Sequence, residues 1–562
     1  MSETTVIKNG RIIDGSGRPG FIGDIAIKDG KITAIATELD DGDITLDATD
    51  RVVTPGFIDP HTHYDAQICW DQTLTSSSAH GVTTVVMGNC GVGIAPCKPE
   101  SRDITAHDLV NVEAIPYDVL KAGITWDWQS YPEFMQAAIN RGTGINLGFL
   151  LPLSALRHYV MGEPALERAA TPDEISEMAT LLKEAMDAGA MGFSFTVLKQ
   201  HIGFEGRPLC CRNASREELA AFAHVLRDGG RGLIQVACGS AAGELDEAGY
   251  DLIDFLLTES HRPVTWAFLL VPPENPSVVG ATLEKVNDLY ARGAVPQVSC
   301  RPFMTQLELS KPFLFADRES FHKIINLPRE QQKLAYRDEA FRKAARDELD
   351  NSPGVFGNGW GRVELQEFSN PELEQFTGRS VADIAKEQGK HPLDVFLDLA
   401  LDYDYDLRYM YDIANIDETW VKHLITDKRT LIGVSDSGAH VDQLCDAGYA
   451  TWLLGTWVRD RKALTMEHAV RRITLDQAEF LGLPDRGRLA VGAAADVVIL
   501  DPKTVGSDRF ASPQFDLPGG ARRLVAAARG IDTVIVNGQI AVQNNEATGN
   551  LAGEQVRPES MT

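Results

Sequence analysis

Through the middle of the chain, short apolar runs alternate with longer stretches of helical period. Eight runs read as strands: GFIDPHTH from Gly56, TTVVMGNCG from Thr83, GINLGFLLPL from Gly144, AMGFSF from Ala190, GLIQVA from Gly232, PVTWAFLL from Pro263, VPQVSC from Val295 and TLIGVSD from Thr430. Between them lie helical patterns such as ISEMATLLKEAMDAGA (175–190) and REELAAFAHVLRDGG (216–230). Continuous apolar strands alternating with helices predict βα units and a parallel sheet covered on both faces. Eight such units are the number that closes a (β/α)8, or TIM, barrel, so the fold class is α/β.

The two ends follow another rule. TVIKNGRIIDGSG and GDIAIKDGKITAIA near the start, and DTVIVNGQIAV near the end, alternate β-branched and polar residues around Asn9-Gly10, Asp29-Gly30 and Asn537-Gly538. Such pairs accept the positive φ of tight hairpins. The expected organisation is a small composite β-sandwich from residues 1–54 plus 488–550 and a barrel over 55–487. The barrel carries long insertions at about 91–142 and 301–429, and a loosely held tail is expected over 551–562.

Composition narrows the partners. Eighty Asp and Glu against 53 Lys and Arg give a net charge of -27 over 562 residues, which speaks against nucleic-acid binding, because phosphate contacts need clustered cations. The start MSETTVIKNGR lacks the basic and apolar regions of a secretory signal, and no apolar run approaches a membrane span. A cytoplasmic protein without membrane contact is expected, with homo-oligomerisation left open. The eight cysteines form no dense framework, and Cys210 adjoins Cys211, so reduced thiols are available as metal ligands.

Barrel active sites form where the strands end. The first strand closes on His61-Thr62-His63, and residues i and i+2 of a strand share a face, so both imidazoles can converge on one ion. The second ends in Gly88-Asn89-Cys90-Gly91, where a thiolate can ligate and flanking glycines allow close backbone approach. The eighth ends in Ser435-Asp436-Ser437-Gly438-Ala439-His440. Asp436 can both ligate a metal and accept a proton from the attacking water, or else cap the following helix. His440 reads equally as a substrate contact, a proton shuttle or a structural histidine.

These motifs, PGFIDPHTHYD, GVTTVVMGNCG, SDSGAH and the closing RGRLAVGAAADVVILD, together resemble the amidohydrolase superfamily, most closely its N-acyl-D-amino-acid deacylase branch. The resemblance implies a metal-dependent hydrolase on a TIM barrel with a split β domain. It assigns His61, His63 and Asp436 as metal ligands, Asp436 also as catalytic base, and Cys90 as the cysteine ligand of the deacylase branch. The chain departs from the branch where strands five and six each bring a histidine, since LIQVACGS and VTWAFLLV contain none, and MGFSF lacks a lysine that could bridge two ions. Four surviving ligands suit one tetrahedral zinc, so a mononuclear site is expected, with His201, Cys238 and Cys210 as nearby replacements.

The implied substrate is a small amide, most directly an N-acyl (D-)amino acid. The branch's substrate-binding arginine soon after the eighth-strand aspartate is missing from AHVDQLCDAGY, which leaves Arg157, Arg212 and Arg301 as cations for a carboxylate. Tyr64, His201, Arg301, Trp360 and His440 are the expected substrate contacts. Alternatives are a hydrolase of a cyclic amide, lactone or C–C bond on the same scaffold, or a barrel that binds without catalysis.

Overall fold

The computed structural model describes residues 3–203, 206–238, 243–315, 318–325, 327–351, 356 and 359–559. The chain divides into two units: Met1–Val271 with Ser277–Arg301 and Glu418–Thr562, and Pro272–Pro276 with Pro302–Asp417.

In the first unit, all eight apolar runs form strands of one parallel sheet. In chain order these are Phe57–Asp59, Val82–Met87, Asn146–Pro152, Gly192–Thr196, Leu233–Ala237, Val264–Ala267, Ala294–Val298 and Leu431–Ile432, each paired with the next. The two ends of the sheet meet through a parallel bridge between Thr62 and Ser437, where the His63 N–H donates to the Ser437 carbonyl at 2.7 Å. The (β/α)8 barrel thereby closes immediately beside the two histidines. Helices between the strands begin where the sequence supplies caps, as in the reciprocal boxes of Ser130 with Glu133 and Thr171 with Glu174.

Alternate strand residues fill a distinct core of Ile58, Val86, Leu150, Met191 and Leu233, completed by Leu481, Leu483 and Val556. Val556 corrects the expectation of a loose tail. The Gly553 N–H donates to Thr143 O at 2.7 Å, the Leu147 N–H to Glu554 O at 2.9 Å and the Val556 N–H to Leu147 O at 3.0 Å. The last segment thus runs beside the start of the third strand, and Val556 is 3% exposed. The apolar residues Leu551, Ala552, Val556 and Met561 follow no regular spacing that would announce such docking.

Strands from both ends of the chain join one nine-stranded sheet. Val52–Pro55 lies between Thr5–Ile12 and Val497–Leu500, so the N- and C-terminal parts hydrogen-bond side by side. Ile7, Ile25, Ile27, Val53, Val497, Ile499 and Ile535 make its core, the buried half of the alternation seen in the sequence.

The second unit has a three-stranded antiparallel sheet, with Leu407–Ala414 between Phe303–Leu307 and Val363–Phe368. Its core is its own, and the Trp360 ring belongs to it, 4.7 Å from the Phe356 ring and 5.6 Å from that of Phe396. Trp360 is therefore a packing residue of this unit, which corrects its expected role as a substrate contact: an indole enclosed by aromatic rings has no face left for a ligand. Among the described residues, no helix is long and apolar enough to cross a membrane.

Candidate metal centre

His61, His63 and Cys90 are buried, and their ligand atoms all lie within 4.8 Å of one another. Each arrives from a strand end held by its neighbours. The Thr62 hydroxyl and N–H both donate to Val86 O, which leaves the imidazoles on either side projecting from one face. Asp65 reaches across to accept the Gly88 N–H at 3.0 Å, tying the first strand end to the second. There the chain turns through Gly88 (φ 80°) and Cys90 (φ 55°). A Cβ on Gly88 would stand 2.0 Å from Leu150 O, so only glycine lets this turn seat against the third strand.

Asp436 completes the group. Its Oδ1 lies 3.1 Å from His63 Nε2 and 3.5 Å from His61 Nε2, while Cys90 Sγ is 3.5 Å from His61 Nε2. Bond lengths of a tetrahedral zinc site imply donor separations of about 3.3 Å between N and O atoms and about 3.6 Å between N and S. The N–O and N–S spacings match those edges, while Asp436 lies outside the group of three whose ligand atoms meet within 4.8 Å and joins it through the two histidines. Asp436 Oδ1 is buried with no hydrogen-bond partner among the described residues, as expected of an oxygen reserved for a cation. The residues therefore fit a divalent metal.

Both histidines are gripped from behind. His61 Nδ1 donates to Gln297 Oε1 at 2.5 Å, which places its proton on Nδ1 and leaves the Nε2 lone pair facing Cys90 and Asp436. His63 Nδ1 lies 3.2 Å from Glu113 Oε1. Gln235 Oε1 accepts the Cys90 N–H at 2.7 Å. Sequence reasoning missed these three supports. Gln235 and Gln297 stand within the fifth and seventh apolar runs, where a lone buried amide was the available signal; Glu113 has none, because it ends an ordinary mixed helix in an insertion.

The electrostatics favour positive charge in the centre. Burial lowers the His61 pKa to about 4, with Asp436 opposing. Burial also acts against charge on His63, but Glu113 and Asp436 outweigh it and hold that imidazole well above its ordinary range. Burial works against ionised Asp436 too, yet the surrounding histidines, His63 first, keep its carboxyl below the usual range. The Cys90 thiol is pushed up to about 11 by burial, so its thiolate needs a cation beside it.

The remaining expected contacts divide. His440 Nε2 lies 3.9 Å from Asp436 Oδ2, and burial holds the His440 pKa below its ordinary value. His201 feels Asp436 and His440, and burial pulls its pKa to about 3. His440 thus stands near the second oxygen of Asp436, and burial keeps both imidazoles neutral. Tyr64 is fully buried with its hydroxyl bonded to Ser77 Oγ at 2.7 Å, so it braces the first strand end and does not face a substrate. Arg301 is corrected likewise. It is 1% exposed and gives its N–H groups to Asp446 at 3.0 Å, Ser507 Oγ at 3.1 Å and the Asp508 and Arg509 carbonyls at 3.1 Å, leaving no fork for a carboxylate.

A small cavity of about 20 Å³, room for roughly one water, adjoins Asp436, lined also by Gln67, Ser76, Leu444, Arg523 and Leu524. Arg523 pairs with Asp516 through two contacts of 2.7 Å and reaches Ser76 Oγ at 3.2 Å. It comes from the C-terminal part of the chain, far from any strand-end motif, and was missed.

Comparison with known proteins places these features in context. The family model described as "Amidohydrolase family" matches residues 45–542. The D-aminoacylase of Alcaligenes xylosoxydans xylosoxydans is 28% identical over 562 residues, covering 98% of this chain and 96% of its own. The N-acyl-D-glutamate deacylase of the same organism is 28% identical over 540 residues, covering 95% and 92%. Among solved structures, N-acyl-D-glutamate deacylase from Bordetella bronchiseptica, complexed with zinc and a phosphonate mimic of the tetrahedral intermediate, superposes with a TM-score of 0.66 at 24% identity over 99% of this chain and 100% of that one. A D-aminoacylase structure concerned with its binuclear metal centre, one-metal activation and second-metal attenuation gives 0.66 at 24% identity over 98% and 99%.

Proposed function

The chain belongs to the amidohydrolase family, hydrolases of C–N bonds other than peptide bonds, and from that premise we propose that it hydrolyses the amide of an N-acyl amino acid, of D configuration, using one zinc ion held by His61, His63, Cys90 and Asp436. The observation that carries the reading is the cluster of His61, His63 and Cys90 ligand atoms within 4.8 Å of one another, with Asp436 Oδ1 3.1 Å from His63 Nε2 and 3.5 Å from His61 Nε2. The relatives named as deacylases of D-amino acids support the substrate class.

A bound ion would act as a Lewis acid, polarising the scissile carbonyl and lowering the pKa of water. With four protein donors, a bound ion would have to expand to five-coordinate to act on water or carbonyl. Asp436 also has two tasks on two oxygens. Oδ1 faces His61 and His63, and Oδ2 faces His440. Oδ2 takes the proton as the water oxygen attacks the carbonyl carbon, then delivers it to the nitrogen as the C–N bond breaks. His440 and His201, neutral near this oxygen, donate hydrogen bonds to the acyl oxygen or the leaving group. Arg523, the one cation lining the cavity beside Asp436 among the described residues, is itself held by Asp516.

The test pairs metal analysis with a panel of N-acyl-D- and N-acyl-L-amino acids. One zinc per chain and turnover of the D series are expected. Asp436→Asn should keep most of the metal while losing about 10²–10⁴ in kcat. Two tightly bound ions per chain, or no amide turnover with zinc, cobalt or manganese, would overturn the reading.

A further inference from the structure

We propose that Glu113 is a positioning residue for the metal centre: its carboxylate holds His63 from the Nδ1 side, so that Nε2 faces Asp436 and Cys90, and this raises the affinity of the four-donor set for a divalent ion. The inference rests on the metal reading above. It goes beyond that reading because Glu113 lies in the long insertion after the second strand and in none of the strand-end motifs.

The geometry behind it does not depend on His63 alone. Glu113 is the last residue of the helix Arg102–Glu113, which stops because Ala114 turns left-handed at φ 50°. Three contacts fix that helix at the end of the barrel. Asp108 Oδ2 lies 3.1 Å from His158 Nε2 on the helix Leu153–Met161 that follows the third strand. Asn111 Nδ2 donates to Gly203 O at 2.6 Å in the segment after the fourth strand. The carbonyl of Glu113 itself accepts the His440 N–H beyond the eighth. The carboxyl group is thus delivered to a set place, 2% exposed and facing His63 Nδ1 at 3.2 Å, an ion-pair contact and not an aligned hydrogen bond.

The His63 ring stands between two carboxyl groups, with Nδ1 3.2 Å from Glu113 Oε1 and Nε2 3.1 Å from Asp436 Oδ1. The partner of His61 is a neutral carboxamide, Gln297, so the two histidines are unequal donors. A carboxyl group behind a ligating imidazole orients the ring, and a partner of this kind is worth about 10–100-fold in metal affinity.

The experiment uses the full chain, stripped of metal and titrated with zinc against a chromogenic chelator, and separately with cobalt(II) followed by its visible absorption. Glu113→Ala should weaken zinc binding by about 10–100-fold and alter the cobalt spectrum. Glu113→Gln, which keeps an acceptor oxygen but not the charge, should recover part of the loss, a graded rescue that mere packing would not produce. If Glu113→Ala does not fold, Glu113→Gln decides: weaker binding with a changed spectrum supports the proposal. Wild-type affinity and spectrum in Glu113→Gln and Glu113→Ala would overturn it and leave the metal reading intact. Absence of zinc and cobalt binding by the wild-type chain would instead sink the metal reading itself.

Discussion

Gln297→Leu separates the stability of the centre from its metal affinity. The leucine is close to glutamine in size but removes the acceptor of the His61 Nδ1 proton. Leaving that N–H buried without a partner would by itself cost about 1–3 kcal/mol, since His61 is fully buried. Two features of the site offset the loss. The Gln297 Nε2 group is itself buried without a partner among the described residues, and the substitution removes it. His61 can also move its proton to Nε2, which faces Asp436 Oδ1 at 3.5 Å. The metal-free protein should therefore unfold within about 1 kcal/mol of wild type. The same tautomeric shift blocks the lone pair a metal needs, so zinc affinity should fall about 10–100-fold, or about 1.4–2.7 kcal/mol. Chelator competition and urea unfolding of the metal-free protein measure the two quantities. Zinc affinity within twofold of wild type would refute the assignment of Gln297 as the group that fixes the His61 tautomer. Gln297→Glu, which retains an acceptor, should hold metal at least as well as the wild type.

Two further outcomes concern the scaffold. Val556→Ala should destabilise the protein by about 2 kcal/mol, from lost apolar burial and the cavity left against the barrel residues; a change below about 0.5 kcal/mol in urea unfolding would mean that the last segment does not complete this core. His80 is buried with Nδ1 on Thr451 Oγ1 at 2.6 Å and Nε2 on Ala526 O at 2.9 Å, and burial lowers its pKa from 6.5 to about 4. The unfolded chain binds the His80 proton more readily, so stability present above pH 6.5 is lost as pH falls toward 4. That contribution amounts to about 2 kcal/mol between pH 7 and pH 5. His80→Gln should lose correspondingly less stability over that interval, and an unchanged pH dependence would show that this histidine is not held neutral.

How much could be read from the sequence depended on whether the signal was local. The eight strands were legible because each is buried on both faces and so appears as an unbroken apolar run. His61 and His63 were legible because a two-residue spacing at a strand end has one geometric outcome, and Cys90 because glycines at 88 and 91 mark a turn. Residues whose role depends on a partner far along the chain left no such mark. Arg301 looked like a free cation after the seventh strand, yet its charge is matched by Asp446, 145 positions later. Trp360 looked like a pocket wall, yet its aromatic neighbours gather from separate parts of the 301–429 insertion to make a core.

The same distinction explains the division of labour in the centre. Donor atoms come from strand ends, which the barrel brings together whatever the loops do. The groups that orient those donors come from elsewhere: Gln235 and Gln297 from strand interiors and Glu113 from an insertion. Strands five and six lack the histidines seen in the deacylase branch, and strand five instead carries Gln235, which holds the Cys90 backbone. A glutamine there cannot serve as a strong ligand, but it can fix the turn that presents one. The candidate donors of this chain are thus braced by groups that lie outside the strand-end motifs.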